Sequence, residues 1–395
     1  MKASSTIENM NLEKRLGMKI RQWQLVSVVV GCLLLLGGCR AKTATGTPPK
    51  TAPTTFTRTV TWHTKTDRQN QEKLAHFIQK KMLTKQGIYT NFVDTKNRQT
   101  GVATGHELLS ESAGMWLQYL AESHQYRAFR QFYRATVTTF DDSGQFSYRY
   151  DPRNKKRFAV NATLDDLRII RALNLYDAQT KTNHYRQAAA NHFAALKVGS
   201  LKAGKLYDYY DPQTKQAAKT TSLAYFDFKT LKYYEQGTRA GRRAYDEQLK
   251  VVHGGYLGNV FPLYASSFSW GDLTYATKNL NTSEALEVLL HLAEIGQLKA
   301  TSRTWLAQQV RAHKLYNGYS TAGSVTNSGQ STANYALAAM VFATANDQAN
   351  YRAAMRLVWE GQVTGNSPIQ GGIGDAKTQQ SYSYSNLTAL NAAGM

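Results

Sequence analysis

Cysteine is nearly absent: the 395-residue chain has two, Cys32 and Cys39, both near its N-terminus. The body is therefore expected to have neither disulfides nor thiol chemistry, and its own core must hold it together. Its nine histidines are dispersed, with no His-x-x-x-His pair, so a zinc site has no ligand set to draw on. A Gly-x-Ser-x-Gly elbow and a phosphate loop are missing too, and the Gly-rich run Gly371–Asp375 reads as structural. Strand-like alternation is scarce; "QFSYRY" and "KLYDYYD" read as extended loops. Acidic side chains are also few, 27 Asp+Glu against 48 Lys+Arg, a formal charge of +21. Without residues 1–39 the balance is 43 basic to 25 acidic, still +18, so the excess belongs to the body. A surface of that sign suits nucleic acid, anionic lipid or an acidic polymer. The lysines are scattered and no nucleic-acid motif accompanies them, which argues against nucleic acid as a partner.

What is present begins with a leader. The basic stretch "MKIRQWQ" precedes a twelve-residue apolar run, Leu25–Leu36, and "LGGC" follows, ending at Cys39. The run is short for a bilayer span but suits a signal-peptide core. Leu-Gly-Gly-Cys resembles a bacterial lipobox, which implies cleavage before Cys39 and a diacylglycerol on its thiol. The expected location is the outer face of a bacterial cell membrane, with Cys39 as the lipid anchor. Residues 40–65 are rich in Thr and Pro, cannot build a core, and read as a tether.

Residues 66–395 carry about eleven helical patterns in succession, beginning with "QEKLAHFIQKKML" and closing near "SNLTALNAA". Three connectors, Tyr150–Lys156, Tyr176–Thr182 and Tyr210–Gln216, set Asp-Pro or Asp-Ala before polar residues, the chemistry of an Asx-turn. Amphipathic helices joined by turns, with no parallel-strand pattern, give an all-α domain of helical hairpins. Six hairpins in a ring would use about twelve helices and would have a mouth lined by helix-start loops.

One segment raises a chemical question. In "LLSESAGMWLQYLAE", Leu108–Glu122, the residues Leu109, Ala113, Trp116, Leu117 and Leu120 form one apolar face. Glu111 falls opposite, beside Met115, Gln118 and Glu122, where periodicity alone makes it an exposed helix residue. Yet "SESAGM", Ser110–Met115, resembles the Ser-Glu-Gly-Gln-x-x-Gly-Met element of glycoside hydrolase family 8. A second stretch, "ATLDDLRIIRAL", is similar to that family's Ala-Thr-Asp-Gly-Asp-x-x-Ile-Ala-x-x-Leu signature at Ala162, Thr163, Asp166, Ile169 and Leu173. Leu164 and Asp165 depart from it. The resemblance covers roughly residues 70–395 and looks closest to a divergent branch of small exported proteins associated with bacterial exopolysaccharide. It implies an (α/α)6 barrel, Glu111 as general acid, Asp166 as a sugar contact, and no cofactor. On the wheel Asp166 shares a stripe with Ile170 and Leu173, where a carboxylate needs hydrogen bonds. Thr163 and Asp166 also have the spacing of a near capping box.

Inversion at the sugar also needs a base. In the family this is often the Asp of Tyr-Asp-Ala-x-Arg-x-Pro, but "YLGNVFP", Tyr256–Pro262, has Leu257 there. Asp272 in "SFSWGDLTY", flanked by Phe268, Trp270 and Tyr275, is the candidate base. Asp227, then Asp208 and Asp211, stand in reserve, and Asp227 also counts as a possible sugar contact. Trp270, Tyr209 and Tyr210 lie in loops and suit sugar platforms, whereas Trp116 reads as core. The expectation is a monomeric surface lipoprotein that cleaves a β-linked polysaccharide internally, with inversion. Its rival is an inactive glycan-binding or scaffolding lipoprotein of the same fold, which Leu164 and Leu257 favour.

Overall fold

The computed structural model describes residues 44–58, 60–95 and 103–395. Cys39 and its leader lie outside them. Twelve α-helices occur among the described residues, in six hairpins. In chain order they are α1 (Lys65–Phe77), α2 (Ser110–Glu122), α3 (Tyr126–Phe140), α4 (Thr163–Thr180), α5 (Arg186–Val198) and α6 (Phe228–Glu235). They continue as α7 (Arg239–Gly254), α8 (Thr282–Glu294), α9 (Ala300–Arg311), α10 (Thr332–Thr344), α11 (Gln348–Glu360) and α12 (Ser383–Ala392). The even-numbered helices touch in sequence, α2 to α4, α6, α8, α10 and α12, and α12 closes back on α2. The odd-numbered helices form the outer ring. This is an (α/α)6 barrel.

Inner helices are enclosed by two neighbours and the outer ring, so almost every face is buried. In α2 only Glu111, Gln118 and Glu122 keep partial exposure. Outer helices obey ordinary amphipathicity. The exception to recognition from sequence is α7, whose buried stripe is Gly241, Tyr245, Gln248 and Val252. The stripe includes a Gly and a Gln, yet its spacing is helical and the opposite face is charged, so the segment is amphipathic.

At the mouth, where outer helices feed inner ones, the connectors form short antiparallel strands. Leu108–Leu109 pairs with Arg149–Asp151, and Ser267–Ser269 lies between Thr220–Ser222 and Thr274–Tyr275. Two of the Asp turns close hairpins here. Asp151 accepts the amide of Arg153, and Asp211 accepts those of Gln213 and Thr214. The third, Tyr176–Thr182, belongs mostly to α4, and its Asp177 is buried, accepting the Tyr185 amide that leads into α5.

The opposite end of the barrel is crossed by the segment expected to be a free tether. Gly46 donates its amide to Asn191 on α5, and Arg186 donates to the Thr51 carbonyl. Phe56 packs edge-on against Tyr233, Arg58 pairs with Glu122, and Trp62 donates to the Ala343 carbonyl. The tether expectation is thus corrected for residues 44–58. One large aromatic, Phe56, finds an apolar seat, and the Thr-rich backbone supplies acceptors to α5. No helix among the described residues is long and apolar enough to cross a membrane.

Candidate active site

Glu111 stands in the first turn of α2 and leans toward the barrel axis. Its neighbours on that stripe, Met115, Gln118 and Glu122, line an axial cavity of about 220 Å³. The polar stripe of α2 therefore faces the barrel's own interior, not bulk water. A wheel cannot separate the two.

Next to α2, α4 supplies Arg168. Its Nη1 lies 3.4 Å from Glu111 Oε1 and 3.2 Å from Asp165 Oδ1, while Nη2 is 2.6 Å from Glu287 Oε1 on α8. Helices α2 and α4 approach closely enough for this because position 114 is Gly. A Cβ there would lie 2.8 Å from Arg168 Cβ. Ser110 donates its hydroxyl to Asp165 Oδ2 at 2.9 Å, and Tyr384 on α12 donates to Glu287 Oε1 at 3.2 Å. Three inner helices and the start of a fourth thus converge on one guanidinium.

The electrostatics follow from this crowding. Burial pushes the Glu111 carboxyl up to about 7; Arg168 pulls down, while Asp165, Glu287 and Glu284 push further up. Asp165 is raised to about 6, chiefly by burial, against Arg168 and the Ser110 hydroxyl. Burial also works to raise Glu287, but Arg168, His291 and Tyr384 outweigh it and hold Glu287 at about 2. Two of the three carboxyls around Arg168 can therefore carry a proton near neutrality, and the third cannot. Glu287 takes most of the arginine's charge, which leaves Glu111 25% exposed and only loosely paired. Tyr225, raised mainly by burial and then by Asp165, Asp208 and Glu111, stays a neutral donor beside them.

The other expected residues fall into separate settings. Asp166 has no exposed surface, accepting the Phe146 amide at 2.8 Å and the Asn161 amide at 3.0 Å. It cannot touch a sugar, so the contact expected of it is corrected. The carboxylate that reaches Arg168 is its neighbour Asp165, one residue earlier. Thr163 does not cap α4: Ala162 holds that position, and the Thr163 hydroxyl donates to the Tyr207 carbonyl at 2.6 Å. That bond pins the loop carrying Asp208 to the mouth. Asp208 is itself engaged by the Ser222 amide and the Thr220 hydroxyl.

Asp272 sits at an exposed turn on the loop between α7 and α8, its carboxylate accepting the Ser269 hydroxyl at 2.8 Å. The loop belongs to the mouth, but the carboxylates that act most strongly on Glu111 are Asp165, Glu287 and Glu284. Glu284, exposed in the first turn of α8, was not singled out by sequence. Its only signal there is an acid following the N-cap Asn281, the ordinary helix-start pattern. Trp270 is half-buried, donating to the Leu206 carbonyl, with Lys205 over its ring. Tyr210 packs against Gly199, while Tyr209 is 44% exposed on the mouth loop. Trp116 is core.

Asp227 is buried and caps α6 through the Thr230 amide and hydroxyl. It lines the axial cavity with His291 and Glu294, and these three offer ligand atoms within 4.8 Å of one another. Arg171 already occupies that position, contacting Glu294 and, at 3.4 Å, Asp227. His291, despite burial, is raised to about 9 by Glu287 and Glu294. A protonated ring beside a guanidinium is a poor metal ligand, so the trio suits an internal ion-pair network.

No protein-family model matches the chain. The candidate lipoprotein YdaJ of Bacillus subtilis (strain 168) is 25% identical over 235 residues, 59% of this chain and 64% of that protein's length. A solved structure described as a novel alpha-amylase from Clostridium perfringens superposes with a TM-score of 0.76 at 26% identity, covering 82% of this chain and 97% of that one. Endoglucanase Cel10 of Klebsiella pneumoniae, a family 8 glycosyl hydrolase, superposes at 0.56 with 16% identity over 81% and 97%. The chain has the six-hairpin fold of the family 8 glycosyl hydrolases.

Proposed function

We propose that the protein is a surface-anchored glycoside hydrolase that cleaves an extracellular polysaccharide with inversion, acting within the chain. The observation that carries this is Glu111, a carboxyl lifted to about 7 at the mouth of the barrel and still open to the cleft. An acid so tuned is protonated often enough at neutral pH to hand its proton to a departing sugar oxygen. Asp165 and Glu287 hold Arg168, and Arg168 steadies the Glu111 carboxylate left behind. The base takes a proton from water on the far side of the sugar ring, about 6.5–9.5 Å from the acid in such enzymes. Glu284 fits that role best, since it is water-exposed and acts electrostatically on Glu111. Asp272 is the alternative base, on an exposed loop of the same mouth. Tyr209 and Trp270 offer ring faces to the sugars.

Neighbours described as an amylase and as endoglucanases support a glucan-like substrate and leave the anomeric bond open. The test is release of reducing ends from α- and β-linked glucans and from bacterial exopolysaccharide. Glu111→Gln should lower kcat on the order of 10²-fold or more, with an unchanged melting temperature. Glu284→Asn and Asp272→Asn identify the base by which one shows the same loss. Full activity in Glu111→Gln ends the enzyme reading. Tight glycan binding without hydrolysis in the parent would favour the scaffolding reading, which Leu164 and the Arg168–Glu111 contact already suit.

A further inference from the structure

One sector of the mouth carries no charge. The connector between α9 and α10 folds into a hairpin, Tyr316–Tyr319 paired with Val325–Gln330. From Leu315 to the end of α10 at Thr344 the chain has no Asp, Glu, Lys, Arg or His, although 19% of all its residues are charged. For α10, an inner helix, burial explains this. For the hairpin it does not, since every residue of Val325–Gln330 is exposed. The hairpins of the α3–α4 and α5–α6 connectors, by contrast, expose Arg153, Lys155, Lys156, Lys202, Lys205 and Lys215. Thr, Asn, Ser and Gln dominate the Val325–Gln330 strand, side chains that both donate and accept hydrogen bonds without charge. That strand is also the free edge of its sheet.

The hairpin is joined to the start of α8, the helix that carries Glu284. Leu280 and Asn281 pair with Tyr319 and Gly318, and the Thr282 hydroxyl donates to the Tyr316 carbonyl at 2.6 Å. Ser283, beside Glu284, donates its hydroxyl to Asn334 Oδ1 at 2.7 Å, and Asn334 Nδ2 donates to Asn317 Oδ1 at 3.0 Å. Asn334 is buried, so this chain of bonds fixes Asn317 against the starts of α8 and α10. The Asn317 oxygen is thereby used, while its Nδ2 has no partner among the described residues. Gly329 keeps that nitrogen uncovered. A Cβ at position 329 would lie 2.9 Å from it.

We propose that this hairpin is a subsite for an uncharged sugar of the polysaccharide, with Asn317 Nδ2 donating to one of its hydroxyls. The proposal rests on the reading of the mouth as a glycan cleft and goes further, naming the chain bound there as one of neutral hexoses. Sugar hydroxyls need donors and acceptors, which the free amide and the polar edge strand supply. A carboxylate-bearing sugar at the same place would leave water with no cation of the hairpin to receive it. The bonds through Asn334 and Ser283 fix the distance between this subsite and Glu284.

The test uses the full chain, with maltoheptaose and cellohexaose as neutral probes and polygalacturonate as an acidic one. Asn317→Ala removes the donor, and Gly329→Val covers it while leaving the Asn317–Asn334 bond in place. In both variants KM for the cleaved neutral probe, and its calorimetric Kd, should rise about tenfold, with kcat and the melting temperature at the parent's values. A loss confined to Asn317→Ala and accompanied by lower kcat would make Asn317 a prop for α10, and would overturn the sugar contact. Unchanged KM and Kd in Gly329→Val overturn the subsite too, as does a parent that cleaves polygalacturonate and neither neutral probe; the hydrolase reading survives both results. A parent that binds a neutral probe with Asn317-dependent affinity and cleaves nothing keeps the subsite and ends the enzyme reading. A parent that neither binds nor cleaves the neutral probes overturns the subsite. Light scattering that shows Gly329→Val splitting a dimer would give the free strand to a second copy of the chain, and would overturn it as well.

Discussion

Glu111 is held between an arginine that would ionise it and three carboxylates that oppose this. The balance turns on Glu287, whose oxygen is 2.6 Å from Arg168 while that of Glu111 is 3.4 Å away. Glu287→Gln removes a negative charge that lifts Glu111 directly and also frees Arg168 to pair with it. Both effects lower the Glu111 pKa. A general acid works only while protonated, so activity falls as pH climbs through about 7 in the parent. In Glu287→Gln that fall should begin at lower pH, and in Arg168→Met it should move higher. The measurement is the pH dependence of kcat/KM, with a melt at each pH to separate unfolding from titration. An unmoved basic limb in both variants would remove Arg168 and Glu287 from the tuning of Glu111. Glu111 was legible in the sequence through its motif, but its setting was not, because a helical wheel has no sign for the inside of a ring. Asp165 and Asp166 show the same limit at finer grain. They are adjacent buried carboxylates at a helix start, and the loop carrying Phe146 and Asn161 takes up Asp166, leaving Asp165 to Arg168.

At the scale of elements, the contact of α2 with α4 is the one on which the site depends. Gly114 lets Arg168 lie against the helix that carries Glu111. Gly114→Ala would bring Cβ to 2.8 Å from Arg168 Cβ, so one helix must shift. The expected cost is about 1–3 kcal/mol from overpacking, read as a lower melting temperature, together with a loss of kcat larger than any change in KM. A stable, fully active variant would mean the two helices slide apart without disturbing the site. The helices themselves were mostly legible, the outer ones from amphipathic spacing and the inner ones from apolar runs buried on nearly every face. The one that escaped, α7, buries a Gly and a Gln where the period calls for apolar residues. Its overall polarity masks it, but the helical spacing of its buried residues belongs to the segment itself.

For the whole molecule, the segment before α1 narrows one end of the ring of hairpins. Phe56, 4% exposed, lines the axial cavity beneath the ion-pair network, and Arg58 lines it too. Composition made this stretch a tether because Thr and Pro dominate it and one Phe is too little to form a core. The core already exists, however, and one aromatic suffices to fasten the segment to it. Phe56→Ala should cost about 3–5 kcal/mol, as for other large-to-small changes at buried aromatics. It would also widen the cavity beside Arg171, Asp227 and Glu294 and admit more water. Water there strengthens screening of the charges that hold Glu287 ionised, so the pH–activity curve should broaden as the melting temperature falls. Calorimetry of the full-length variant and its kcat/KM profile check both outcomes. An unchanged melt would return residues 44–58 to the role of a free tether.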